Sequence, residues 1–198
     1  MTTTTAFPAT LLTAAFPAAF SDSRSRLLRA IALTILGSLA LTVSAKVAFP
    51  VGPVPFTMHT YVVLVLGALL GKRLALASVM LYLAQGLAGL PVFTMGGGLA
   101  YLASPSFGYL IGFLPAAVLV GHFTERGFGR TLGSCLLLMA VAHVVLFVFG
   151  VMWLAMAIGL EKAYWVGLHP FWVMSVVKTV LAALTVSLAW KALTPRRS

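Results

Sequence analysis

Apolar residues run along this chain in six blocks, at about 27–48, 57–71, 74–88, 106–124, 131–159 and 170–192. Polar and charged residues collect almost entirely in the gaps. A helix needs about 20 apolar residues to cross a bilayer core, so the pattern predicts six transmembrane helices. The second and third blocks are short, at about 15 residues each. Two spans are favoured over a re-entrant hairpin because the connector "GKR" carries Lys72 and Arg73 together. A tip buried in the membrane would leave both charges there, at roughly 2.5–3.5 kcal/mol each. The fifth block exceeds the bilayer thickness and is expected to tilt or protrude. Residues 1–25 precede the first block and are broken by Pro8 and Pro17. They read as a loosely ordered or interfacial tail. A signal peptide would carry its charge before its apolar patch, whereas Arg24, Arg26 and Arg29 follow it. The expected organisation is a tail at 1–25, a six-helix membrane domain at 26–193 and a basic C-terminus at 194–198.

Composition agrees with this class. The chain has 198 residues, 61% of them hydrophobic and 8% charged, against about 25% charged in an ordinary soluble domain. The net charge of +10 does not call for nucleic acid, because its positions are topological. Arg24, Arg26 and Arg29, then Lys72 and Arg73, then Arg126 and Arg130, then Lys191, Arg196 and Arg197 make ten of the thirteen basic residues. All four groups fall on one side of a six-span arrangement. Cytoplasmic loops collect Lys and Arg, so both termini are expected inside a cytoplasmic membrane crossed by several spans.

The connections on the other side hold the prolines, glycines and aromatics: "KVAFPVGPVPFTMHT", "GLPVFTMGGGLAYLASPSFGY" and "EKAYWVGLHPFW". They read either as a shaped lid over an outward-facing cavity or as ordinary loops with interfacial aromatic anchors. Cys135 is the single cysteine, so no disulfide framework exists. The four histidines are dispersed, which disfavours a metal site. There is no phosphate-binding Gly-Lys-Ser or Gly-Lys-Thr loop and no nucleophile–base pair, so an enzyme or a self-powered pump is not expected.

A few polar residues interrupt the apolar blocks. Lys178 lies about 13 Å into the last span when counted from Pro170. The acids are Asp22, Glu125 and Glu161, none of them placed to pair with it. An anionic ligand would answer its charge; the alternative is a lysine that snorkels or bonds to backbone oxygens. Tyr82 and Gln85, three apart, share a helical face. His59 and His143 are each expected to hydrogen-bond a neighbour. In the first span Ala30, Thr34, Ser38 and Thr42 form a small-residue stripe, suited to packing within the bundle or to docking a partner.

The stretches "GALLGKRLALASVMLYLAQGLAGLPVF", "GGGLAYLASPSFGYLIGF" and "PFWVMSVVK" together resemble the BioY family. These are the biotin-specific substrate-binding components (S components) of energy-coupling factor, or ECF, vitamin transporters. The resemblance covers about residues 27–192. It implies an all-α, six-helix membrane protein with a biotin cavity under its outer loops. It also implies docking through small residues of the first helix onto a transmembrane coupling protein driven by two ATPase subunits. The ligand-binding set it implies is Lys178 and Ser175 of the last stretch, Phe93 of "GLPVF", Gly97 of the glycine run and Tyr109 of "GYLIGF", beside Gln85 and Tyr82. The family's last helix usually carries an aspartate three residues before the lysine; here that position is Ser175. A charge-assisted bond to the ureido N–H of biotin would thereby become a neutral one. The readings competing with a biotin-capture subunit are a self-sufficient facilitator or interaction protein and an S component for a different vitamin. No cofactor is expected beyond biotin as transported ligand.

Overall fold

The computed structural model describes residues 10–11, 23–49 and 54–193. Most of the expected tail, Pro50 and Pro53 of the first outer connection and the C-terminal 194–198 lie outside the described residues. Thr10 and Leu11, from the expected tail, are buried.

Among the described residues, six apolar helices form the bundle. Helix α1 is Ser23–Lys46. The next helical run, His59–Leu87, breaks at Gly71, giving α2 over 59–70 and α3 over 72–87. Helix α4 is Phe107–Glu125, α5 is Leu132–Ile158 and α6 is Trp172–Leu193. Between α5 and α6 lie a short helix, Leu160–Ala163, and a π-helical turn, Tyr164–Leu168.

The break at Gly71 is a full reversal. In an unbroken helix Tyr82 would lie about 35 Å from His59, 23 residues at 1.5 Å each; instead its hydroxyl is 2.9 Å from His59 Nε2. Gly71 has φ 77° and ψ 172°, a conformation that a side chain would strain. The first N–H after it, that of Lys72, donates to Glu125 Oε1 at 2.9 Å. Lys72 Nζ is 3.4 Å from Glu125 Oε2. A carboxylate at the start of a helix answers both the free N–H groups and the dipole. The short second and third blocks are therefore separate helices. Their tip lies level with the end of α4, not halfway down the bundle.

The core is built from one face of each helix. Leu41, Leu64, Val79, Phe113, Val120, Met139, Leu146, Leu154 and Val186 are buried in it. The outward faces are apolar as well, with Leu36, Val144 and Leu188 each at least 60% exposed. In water such a surface would drive association; around a membrane bundle it faces lipid. Five of the helical runs are long and apolar enough to cross a membrane, with α2 and α3 counted as one. Helix α5 has 27 residues, about 40 Å of helix against a core of about 30 Å.

The two ends of the bundle differ. At one end stand Lys72, Glu125 and Arg130, the last with its guanidinium 5.1 Å from the centre of the Trp190 ring. At the other end the three long connections fold over the helices. The first carries a two-stranded antiparallel hairpin absent from the sequence-based expectation, β1 (Ala48–Phe49) with β2 (Phe56–Thr57). Its register is Ala48 to Thr57 and Phe49 to Phe56. The second makes an antiparallel bridge between Phe93 and Gly96 and a 3-10 turn over Leu99–Ala103.

Candidate functional site

A cleft opens under the three connections at the end opposite the basic groups. Val54, Pro55 and Thr57 line it from the first connection, Thr94, Tyr101 and Ser106 from the second, and Phe171 from the third. Its walls are apolar: Leu110 and Phe113 of α4, and Leu146 and Phe147 of α5. The space it encloses is about 60 Å³, smaller than the roughly 300–1,000 Å³ of typical small-molecule sites. A few polar groups in a mostly apolar cleft can fix the orientation of a ligand whose body is apolar.

Lys178 is the cation on this wall. Helix α6 begins at Trp172, so Lys178 lies about 9 Å along it, shallower than a count from Pro170 suggests. Helical side chains lean toward the N-terminus, and that direction here leads to β2. Lys178 Nζ donates to the Thr57 carbonyl at 2.5 Å and lies 4.0 Å from the centre of the Phe56 ring. Phe56 in turn stacks on Phe171, with centroids 6.0 Å apart and planes 7° apart. Lys178 is 6% exposed. The π face and the carbonyl stabilise the ammonium, yet neither cancels its charge. Glu125 is engaged with Lys72 at the far end, and Glu161 is exposed.

Ser175, one turn before Lys178 on α6, also lines the cleft. Residues three apart on a helix are neighbours, about 5–6 Å between Cβ atoms, so both meet the same end of any ligand. Tyr109 is the third member of the expected set on the wall. Its hydroxyl donates to the Gly167 carbonyl at 2.7 Å, which ties the start of α4 to the third connection.

The other four expected residues do not line the cleft. Tyr82 is fully buried and bonded to His59. Phe93 is fully buried too, its ring edge-on to Tyr82 at 5.3 Å and tilted against Tyr101 at 4.5 Å. A Cβ on Gly86 would run into that ring, so glycine is what lets the second connection seat on α3. Gly97 packs against the carbonyls of Leu90 and Gly86. Gln85 accepts from the Ser38 hydroxyl at 2.6 Å. Tyr82 and Gln85 thus leave α3 in different directions, toward α2 and α1.

That last bond bears on the small-residue stripe. Ser38 is 1% exposed, and Ala30, Thr34 and Thr42 are half-buried beside it. Thr42 donates back to the Ser38 carbonyl at 3.0 Å. Of the two roles open to the stripe, packing within the bundle is the one its centre occupies. The exposed face of α1 is instead made of Leu28, Ile31, Ile35, Leu39 and Val43. His143 bonds a neighbour as expected, with Thr179 Oγ1 2.9 Å from its Nδ1.

His59 lines the cleft, but a lone histidine at a helix start carries little signal in a sequence. Phe56 and the Thr57 carbonyl left no usable signal: one acts through a ring face and the other through backbone set by a two-residue strand.

A model of the BioY family matches residues 10–195, nearly the whole chain. The chain belongs to the BioY family. Among its BioY relatives is a protein named probable biotin transporter BioY from Pyrococcus horikoshii. It is 36% identical over 148 residues, covering 74% of this chain and 87% of the relative. The biotin transporter BioY of Rhizobium etli is 36% identical over 173 residues, covering 82% and 91%. The fold matches the crystal structure of an S-component for biotin from an ECF-type ABC transporter. That match has a TM-score of 0.76 at 24% identity and covers 86% of this chain and 95% of that one.

Proposed function

We propose that this chain captures biotin on the outer side of the cytoplasmic membrane, as the substrate-binding subunit of an ECF-type transporter. Family membership and the names of its relatives support the ligand. The observation that carries the site is Lys178, a buried cation on the wall of an apolar cleft with no carboxylate beside it among the described residues.

Biotin is an apolar bicycle and chain with a ureido ring at one end and a carboxylate at the other. The carboxylate is its one full charge. Pairing it with Lys178 joins two groups that are each costly to desolvate alone. The ammonium has three donors; Thr57 takes one, and two remain for the ligand. Ser175 supplies a hydroxyl to the same end. Phe113, Leu146, Phe147 and Phe171 provide the apolar surface for the rest.

The basic end faces the cytoplasm in this reading, since Lys and Arg are retained there; the cleft then opens outward. A subunit with no nucleotide-binding loop needs an outside source of energy. The partners proposed are a transmembrane coupling protein and two ATPase subunits. Helix α1 is the helix most open to such a partner, with only 22% of its apolar window buried.

Isothermal titration of biotin into the detergent-solubilised chain tests the ligand. Saturable binding is expected, and a chain that binds no biotin would overturn the assignment. Biotin amide tests the end of the ligand. It lacks the charge and is expected to bind about tenfold or more weakly, the scale of one charge-assisted bond. Equal binding of acid and amide would place the ureido ring at Lys178 instead.

A further inference from the structure

A line of hydrogen bonds leaves the cleft at Lys178 and ends in the second outer connection. Lys178 Nζ donates to the carbonyl of Thr57. Thr57 Oγ1 is 3.1 Å from His59 Nδ1. His59 Nε2 is 2.9 Å from the Tyr82 hydroxyl, which lies 3.4 Å from the Val92 carbonyl. The next residue, Phe93, packs its ring on Tyr82 and accepts at its carbonyl from Lys46 Nζ at 2.7 Å.

A neutral imidazole has one donor and one acceptor. Thr57 and Tyr82 use both, in either tautomer. His59 therefore lines the cleft with no polar capacity left for a ligand, and Tyr82 has no exposed surface at all. Neither is free to touch biotin through a hydrogen bond. What they hold is Thr57, whose carbonyl is the fixed point of the Lys178 ammonium. We infer that His59 and Tyr82 are positioning residues for ligand capture. They set the place of the Lys178 charge through Thr57 and fasten that anchor to the connection at Val92 and Phe93. The inference rests on the reading of Lys178 as the cation that meets biotin.

The geometry explains why two connections remote in sequence, at 48–57 and 92–106, can close over one ligand together. The first is tied by register to β1 and by Thr57 to His59. The second rests on Tyr82. Both bonds run through one imidazole, so loss of either should loosen the ammonium without emptying the cleft.

Biotin titration of four variants in detergent tests this. Tyr82→Phe keeps the ring against Phe93 and removes only the hydroxyl; it is expected to weaken biotin about five- to fifteen-fold, the effect of one hydrogen bond. His59→Leu removes both links and should cost at least as much. His59→Asn keeps an amide near the position of Nδ1, facing Thr57, and should recover most of the loss seen with His59→Leu. In a Lys178→Met background, Tyr82→Phe should have no further effect, because the group it positions is gone. Equal fold-losses from Tyr82→Phe in both backgrounds would overturn the inference, as would parent-like affinity of Tyr82→Phe or an Asn variant no better than Leu. Where Lys178→Met binds too weakly to titrate, the two His59 variants in the parent decide alone. Failure of the underlying reading shows separately, as unchanged affinity in Lys178→Met by itself.

Discussion

Burying a lysine costs several kcal/mol unless its charge is answered, and Lys178 is answered here by a carbonyl and a ring face. That leaves a positive charge in a cleft otherwise lined by neutral groups. The neighbouring Ser175 sharpens the point. An aspartate there, the residue that the family resemblance implies for this position, would neutralise Lys178 internally. Ser175→Asp is therefore expected to weaken biotin, since the new acid competes with the ligand's carboxylate for one ammonium. A tighter complex in the same titration would show that the acid accepts from the ureido ring. Lys178 was legible in the sequence because one charge in an apolar run is conspicuous. Its partners were not, because a backbone oxygen and an aromatic face have no letter pattern of their own. Tyr82 was visible as a polar residue in an apolar block. Its burial behind His59 was not, since that depends on the reversal at Gly71.

The helices themselves follow from hydrophobic run length, and the "GKR" connector was enough to separate α2 from α3. What the run lengths could not supply is how tightly that hairpin closes. Gly71 combines a left-handed φ with a carboxylate oxygen 2.6 Å from where a Cβ would sit. Gly71→Ala is expected to destabilise the fold by about 1–3 kcal/mol through strain and overpacking, read as a lower unfolding midpoint in detergent. A midpoint equal to the parent's would mean that the turn relaxes. At the interface of α1 and α3, Ser38 and Gln85 satisfy each other. Ser38→Ala should cost about 1–3 kcal/mol by leaving the Gln85 oxygen unpaired. Ser38→Leu should separate α1 from α3 and lower stability rather than act on a partner alone. Normal stability together with lost assembly would return the stripe to a docking role. The small-residue spacing was plain in the sequence, but which helix it meets depends on the rotation of α1 about its axis.

Across the described residues, one end carries most of the basic residues and the other the cleft, and this asymmetry predicts the orientation of the bundle. A positive-inside arrangement places residues 72 and 126 in the cytoplasm and residue 162 outside. Single cysteines at these positions in a Cys135→Ala background, probed with a membrane-impermeant thiol reagent on intact cells, should label only at 162. Labelling at 72 from outside would contradict the orientation. The shape of the cleft depends on all three outer connections at once, each short on regular structure. The lid was therefore readable only as a concentration of proline, glycine and aromatic residues on one side.

The claim on which the rest depends is that Lys178 meets biotin. Titrating biotin into the parent and Lys178→Met, at matched pH and detergent, tests it most directly. Methionine keeps the length and apolar stem, so the bundle should hold. Removing one partner of a buried charge pair costs about 2–5 kcal/mol, so affinity should fall about thirty-fold to several-thousand-fold. A Lys178→Met protein that binds biotin as tightly as the parent would contradict the account and make the lysine a bystander in its own cleft.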